Sequence, residues 1–142
     1  MMHKKENIKS VLFVCYLNSI RSPIAEGLVR KNYTNIDVKS CGIAAGDLDD
    51  LMVAIMREIS IDMSCHKSKT LDELSHCQFD LIIAFTEPAY QAAKAVFNET
   101  AKLIEFWPLP DPTQGSLDVR AIMNNYRAIR DNISMRLKNN FI

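Results

Sequence analysis

The sequence predicts an α/β fold with three layers, α/β/α, in which helices cover both faces of a four-stranded parallel sheet. Three observations lead to this prediction. Four short apolar runs are rich in Val, Ile and Phe, as strands buried on both faces are. Segments with helical spacing of apolar residues separate these runs, and a longer amphipathic segment follows the last run. Strands that alternate with helices form parallel sheets with right-handed crossovers.

The first half of the chain contains two strand–helix pairs. Val11–Cys15 is an unbroken apolar run and predicts a buried strand, and Pro23–Tyr33 begins with a residue that is favoured in the first turn of a helix. Ile36–Lys39 is the second predicted strand. Leu48–Ile59 has apolar residues at helical spacing and predicts the second helix.

The second half repeats this alternation. Phe79–Phe85 and Leu103–Trp107 are the third and fourth predicted strands, and a helix is predicted between them at Pro88–Asn98. The last segment, Leu117–Leu137, predicts an amphipathic helix. Its apolar face consists of Ile122, Tyr126, Ile129, Ile133 and Leu137.

Length and charge limit the classes of protein to which the chain belongs. Its 142 residues suffice for one domain, and we expect residues 1–142 to form it. Seventeen basic and seventeen acidic residues cancel, so no overall field favours nucleic acid or a membrane as a partner. No signal peptide or membrane span is predicted, and with four cysteines this favours a cytoplasmic protein with free thiols.

A cysteine stands at the end of the first predicted strand, where ligands bind in parallel sheets. After Cys15 comes a short loop, and then a helix that Ser22 is expected to cap and Pro23 to begin. Backbone N–H groups of such a loop and a helix N-terminus together bind anions. We expect this phosphate-binding loop to comprise Tyr16, Leu17, Asn18, Ser19, Ile20, Arg21 and Ser22.

Three side chains provide the chemistry that this loop requires. The helix N-terminus and Arg21 favour the thiolate form of Cys15, which is a nucleophile. The guanidinium of Arg21 holds two phosphate oxygens at once and stabilises the charge that develops during phosphoryl transfer. Asp111 lies between prolines in the loop after the fourth strand, and it is the candidate general acid and base.

Cysteine, five residues and then Arg-Ser-Pro resemble the phosphate-binding loop of the low-molecular-weight protein tyrosine phosphatase superfamily. That superfamily also contains thioredoxin-coupled arsenate reductases. The resemblance covers nearly the whole chain and implies one phosphatase domain that hydrolyses phosphomonoesters through a thiophosphate intermediate. It also implies that Asp111 in the Asp111–Pro112 pair is the acid. The substrates implied are a phosphorylated protein or a small phosphomonoester, with no metal and no cofactor.

The same family surrounds its loop with hydrogen-bonding Asn, Ser, Ser and His residues. The matching positions here are Asn18, Ser22, Ser40 and His66. Asn18 is suited to shape the loop because asparagine tolerates a left-handed backbone, and Ser22 can donate a hydrogen bond to the Cys15 thiolate. We expect these residues, together with Pro112, to support the reaction.

The sequence departs from the family pattern at several positions. Leu17 replaces a glycine, and Ile20 replaces a second cysteine that protects the oxidised nucleophile in many relatives. The aromatic residues that follow Asp-Pro in eukaryotic relatives are absent here, where Thr113 comes next. The loop that begins at Thr86 lacks the cysteine relay of the reductases.

Three alternatives follow from these departures and from the remaining cysteines. One is an arsenate reductase relative, and another is a phosphate- or phosphopeptide-binding module in which Leu17 prevents turnover. The pairs Cys65–His66 and His76–Cys77 suggest zinc, but adjacent ligands lack the spacing that wraps a metal ion. The sequence leaves open the oligomeric state and any redox role of Cys41.

Overall fold

Four parallel strands form one sheet in the computed structural model of the chain, which describes residues 5, 7–115 and 118–141. The strands are β1 (Ser10–Cys15), β2 (Asp37–Gly42), β3 (Leu81–Ala84) and β4 (Leu103–Phe106). Their order across the sheet is β2-β1-β3-β4. All neighbouring pairs run parallel, which confirms the predicted α/β sheet.

Helices cover both faces, so the three-layer prediction is also confirmed. They are α1 (Arg21–Asn32), α2 (Asp50–Arg57), α3 (Glu87–Phe97) and α4 (Val119–Asn140). One core packs the apolar faces of α1, α2 and α4 against the sheet, and a second core packs α3 against the other face. A short 3-10 helix at Leu71–Leu74, which the sequence analysis did not predict, adds to the second core.

The second strand extends three residues beyond its predicted end at Lys39. Ser40, Cys41 and Gly42 pair with Phe13, Val14 and Cys15 of β1. These small and polar residues give no strand pattern in the sequence. Pairing along the buried central strand imposes the extended conformation on them.

The first helix begins earlier than predicted, and Ser22 does not cap it. Its N-cap is Ile20, which makes no side-chain hydrogen bond, and Pro23 is the third helical residue rather than the first. The tight loop after Cys15 turns directly into the helix, so the hydroxyl of Ser22 lies inside the first turn. It is therefore available to the loop rather than to the helix end.

The remaining boundaries shift by a few residues. α2 starts at Asp50 because the side chain of Asp49 caps it by accepting a hydrogen bond from the Met52 amide at 2.9 Å. The predicted start of the last helix, Leu117, lies outside the described residues, and α4 begins at Val119.

The basic side chains of α4 are partly used within the fold. Arg130 is only 9% exposed and donates to the Ile55 carbonyl at 2.7 Å and to Glu58 at 2.8 Å. Arg127 pairs with the same carboxylate at 2.7 Å. These two arginines lower the pKa of Glu58 to about 2.

None of the described helices is long and apolar enough to cross a membrane.

Candidate active site

The sheet brings the loop after β1 and the loop after β4 to the same edge. The backbone amides of Trp107 and Leu109 donate to the carbonyls of Ala84 and Phe85 at 2.8 and 3.0 Å, so the chain leaving β4 follows the end of β3. Arg21 then donates through Nη1 to the Leu109 carbonyl at 3.2 Å. This contact joins the two loops, which the sequence alone could not show to meet.

Cys15, Arg21 and Asp111 line one cleft of about 580 Å³ at this edge. Cys15 is only 2% exposed and forms part of the floor. Two segments of the chain, the loop between β1 and α1 and the loop after β4, thus bring the predicted nucleophile, phosphate ligand and acid to one cleft.

The loop between β1 and α1 is shaped around Asn18. This residue is fully buried and has a φ of 55°, in the left-handed region that asparagine tolerates. Leu17 does not have a positive φ, so a residue with a Cβ is accommodated there without left-handed strain. Among the described residues, no protein acceptor receives a hydrogen bond from the backbone amides of Tyr16–Ser22. Their donors remain available to an anion.

A buried hydrogen-bond network links this loop to the nucleophile. The side-chain nitrogen of Asn18 donates to Ser22 Oγ and Ser40 Oγ, both at 2.9 Å, and its Oδ1 accepts from the Lys69 amide at 3.0 Å. Ser22 Oγ lies 2.8 Å from Cys15 Sγ. Because Asn18 donates to Ser22, the hydroxyl proton of Ser22 is left for one of two acceptors, the sulfur of Cys15 or the more distant carbonyl of Cys41 at 3.3 Å.

The loop is also held from outside by residues that follow β2. The carbonyl of Asn18 accepts hydrogen bonds from His66 Nε2 at 3.0 Å and from Ser68 Oγ at 2.8 Å. His66 therefore carries a proton on Nε2, since a carbonyl can only accept. The sequence analysis identified Ser40 and His66 but missed Ser68, which lies in no motif.

Glu26 is a second residue that sequence reasoning missed. It is 5% exposed, accepts a hydrogen bond from Ser40 Oγ and pairs with Arg30. In the sequence Glu26 is a polar residue within a predicted helix, and nothing there distinguishes it from a surface residue. Only the packing of α1 against β2 shows that its carboxylate ends the network that begins at Cys15.

Gly42, at the end of β2, allows the loop to pack against the sheet. A Cβ at this position would lie 2.7 Å from both the Asn18 amide nitrogen and the Tyr16 carbonyl oxygen. The Gly42→Ala substitution must therefore displace the loop backbone. We expect roughly a 10- to 100-fold loss of catalytic activity, because sub-ångström misplacement of reacting groups is costly. Assays of kcat/KM with a circular dichroism control test this, and a folded, fully active variant would contradict it.

Arg21, which lines the cleft, has one donor without a partner among the described residues. Its Nε is buried and has no hydrogen-bond partner among the described residues. Buried N–H groups without partners are rare because they cost free energy. An anion bound beside Cys15 would satisfy this donor.

Asp111 is held in its loop by its own neighbours. It accepts hydrogen bonds from the Thr113 amide at 2.9 Å and from Thr113 Oγ1 at 2.6 Å. Burial raises the pKa of the Asp111 carboxyl, but the hydrogen bonds from Thr113 and Gln114 and the charge of Arg21 outweigh it and lower the pKa overall. Pro112 is buried, and its carbonyl accepts a hydrogen bond from Asn125 at 3.4 Å, which ties the loop to α4.

Cys41 does not face the nucleophile. It pairs with Val14 in the sheet and packs in the core beneath α3, whereas Cys15 packs in the core on the opposite face. Burial, and secondarily the charge of Cys15, raises the pKa of the Cys41 thiol to about 12. All four cysteines are free. No three His, Cys, Asp or Glu side chains of the described residues come together as metal ligands.

Residues 10–141 match the family described as low molecular weight phosphotyrosine protein phosphatase. The chain belongs to this family. The glutaredoxin arsenate reductase of Synechocystis is a relative with 29% identity over 93% of this chain and 95% of its own length. The low molecular weight protein-tyrosine-phosphatase Ptp of Acinetobacter johnsonii is 32% identical over 70% of this chain and 66% of its own.

A solved structure has the same fold. It is a mutant of the YwlE arginine phosphatase with a phosphorylated active site serine. The TM-score is 0.73 at 25% identity, and the match covers 92% of this chain and 91% of the other.

Proposed function

We propose that this family member is a cysteine-dependent phosphomonoester hydrolase of the protein tyrosine phosphatase type, with Cys15 as its nucleophile. One observation carries the proposal. The sulfur of Cys15, the unpartnered Nε of Arg21 and the carboxylate of Asp111 belong to one small site, and Ser22 lies within hydrogen-bond distance of the sulfur. A phosphate group there meets a nucleophile, a cation and a proton donor.

The first half of the reaction transfers the phosphoryl group to sulfur. The thiolate of Cys15 attacks phosphorus as the bond between phosphorus and the ester oxygen breaks. Asp111 in its protonated form gives its proton to the leaving oxygen. Arg21 and the loop amides bind the three remaining oxygens and stabilise their charge in the transition state.

The second half returns the enzyme to its starting state. Asp111, now a carboxylate, takes a proton from water while the water oxygen attacks phosphorus. The phosphorus–sulfur bond breaks, inorganic phosphate leaves, and the Cys15 thiolate re-forms. The hydroxyl of Ser22 stabilises that thiolate as a leaving group by donating to it.

We also propose a phosphorylated protein or a small phosphomonoester as the substrate and, because its thiols are free, the cytoplasm as the compartment. A second candidate activity is arsenate reduction, which is favoured by the relative that is named a glutaredoxin arsenate reductase. Arsenate would form a sulfur–arsenic bond with Cys15 and lose water. A second thiol must then attack the Cys15 sulfur, so that a disulfide forms, the sulfur–arsenic bond breaks and arsenic leaves, reduced, as arsenite. Since Cys41 packs on the opposite face of the sheet and neither Cys65 nor Cys77 lines the cleft, we expect an external thiol to supply this step.

The experiment that separates these candidates compares two reactions of the purified protein. One is hydrolysis of para-nitrophenyl phosphate under reducing conditions, and the other is arsenite release from arsenate with glutathione and glutaredoxin. We expect hydrolysis and no arsenite. Arsenite release alone would assign the reductase activity. If folded protein does neither but binds phosphate or a phosphonate, the chain is a binding module.

A further inference from the structure

Three exposed apolar side chains surround the mouth of the cleft. Tyr16, Leu17 and Leu48 are 50%, 43% and 38% exposed, and all of them line the cleft that holds Cys15. None of the other large apolar side chains exposed in the described chain lines it. Apolar surface gathered around a polar centre is typical of ligand sites, where it contacts the part of the ligand that carries no charge.

The chain that follows β2 is built to accommodate Leu17. The amides of Ala44 and Gly46 donate to the carbonyls of Tyr16 and Leu17 at 3.0 and 2.9 Å, so this segment follows the phosphate loop closely. A Cβ on Gly46 would lie 3.1 Å from Leu17 Cβ and 2.6 Å from Ser19 Oγ. The absence of a side chain at Gly46 thus leaves the space that Leu17 and Ser19 occupy.

Leu48, another of the three apolar residues, is also held in place by its neighbours. It lies between Asp47 and Asp49, just before α2. Asp49 caps this helix through Oδ1 and accepts a hydrogen bond from the Tyr126 hydroxyl through Oδ2 at 2.9 Å. The residue next to Leu48 is therefore tied both to α2 and to α4.

We propose that Leu17 is a specificity-determining residue, which packs with Leu48 against the leaving group and selects aryl phosphates over substrates with polar or cationic leaving groups. The inference rests on the proposed hydrolase function. A phosphate at Cys15 places its ester oxygen toward Asp111 and its organic group toward the cleft mouth. A flat aromatic group in the cleft would contact these two aliphatic side chains and bury apolar surface that both now expose.

Two substrates whose leaving groups have closely matched acidity show the effect of the Leu17 contact separately from the effect of acidity on bond breaking. The test compares kcat/KM for 2-naphthyl phosphate and phenyl phosphate, which differ chiefly in apolar area. We expect Leu17→Ala to reduce the preference for the naphthyl ester by at least roughly 5-fold, mainly through KM, because the contact exists in ground and transition states alike. Leu103→Ala is the matched control, since Leu103 is also 43% exposed but does not line the cleft.

The outcomes distinguish this inference from the proposed function. If the wild type hydrolyses both esters and Leu17→Ala leaves their ratio unchanged, or changes it no more than Leu103→Ala does, Leu17 does not determine specificity. A wild-type preference for phosphoarginine peptides over phosphotyrosine peptides would also overturn the inference, since Asp47 in the cleft would then direct selection. If neither ester is hydrolysed, the hydrolase proposal fails. Calorimetric affinities for 2-naphthylmethylphosphonate and methylphosphonate then test Leu17 by the same ratio.

Discussion

Cys15→Ser is expected to abolish hydrolysis of para-nitrophenyl phosphate, with a loss of at least about 10⁴-fold in kcat. The substitution replaces the nucleophilic thiolate by a hydroxyl, which must lose its proton before it can attack. A serine hydroxyl at the floor of the cleft has no base beside it, because Ser22 and Arg21 offer donors and Asp111 is committed to the leaving group. Phosphate binding should survive, since Arg21 and the loop amides remain.

The measurement pairs turnover with binding of inorganic phosphate. Cys65→Ser is the control, because Cys65 is an exposed thiol that does not line the cleft. We expect the control to retain full activity. Turnover by Cys15→Ser near the wild-type rate would remove Cys15 as the nucleophile and with it the proposed mechanism.

Asp111→Asn is expected to lower kcat/KM for phenyl phosphate by roughly 10²- to 10³-fold, the usual contribution of a general acid. An asparagine keeps the shape of the side chain but cannot give a proton to the leaving oxygen. The loss should be much smaller for 2,4-dinitrophenyl phosphate, whose leaving group departs without a proton. Because kcat/KM reports on steps up to leaving-group departure, this comparison isolates the acid role.

The pH dependence follows from the protonation of the same group. The pKa of the Asp111 carboxyl is lowered in the free protein, so the acid is mostly ionised at neutral pH. Wild-type kcat/KM for phenyl phosphate should therefore fall as pH rises toward neutrality and above, and Asp111→Asn should lose this limb. Asp47→Asn, which alters another carboxylate of the cleft, is the matched control and should keep it. If Asp111→Asn lowers kcat/KM equally for phenyl phosphate and for 2,4-dinitrophenyl phosphate, Asp111 has a structural role instead.

Much of the fold could be predicted from the sequence because its signals are local. The apolar run at β1 and the helical spacing of apolar residues in α4 indicate which side chains are buried, because apolar side chains are the ones that folding buries. The extension of β2 through Ser40–Gly42 carried no such signal. Those residues are extended because they pair with β1, which is distant from them in the sequence.

The candidate site shows the same division. The sequence was enough to single out Cys15, Arg21 and Asp111 as candidates, because thiol, guanidinium and carboxylate at those positions have few other combined uses, and the structure places all three at one cleft. The assignment of Ser22 as a helix cap was wrong, since the loop enters α1 earlier than Pro23 suggests. Its hydroxyl instead lies beside the sulfur.

The sequence by itself determined the alternation of strands and helices and pointed to the loop after Cys15 and the loop that holds Asp111. Only the tertiary structure decided that the two loops share one cleft, that Glu26 ends the network behind Asn18, and that Cys41 faces away from Cys15. Residue types encode propensity and reactivity locally. Strand order and the face to which a side chain points depend on pairings between distant segments, and these are settled only when the whole sheet assembles.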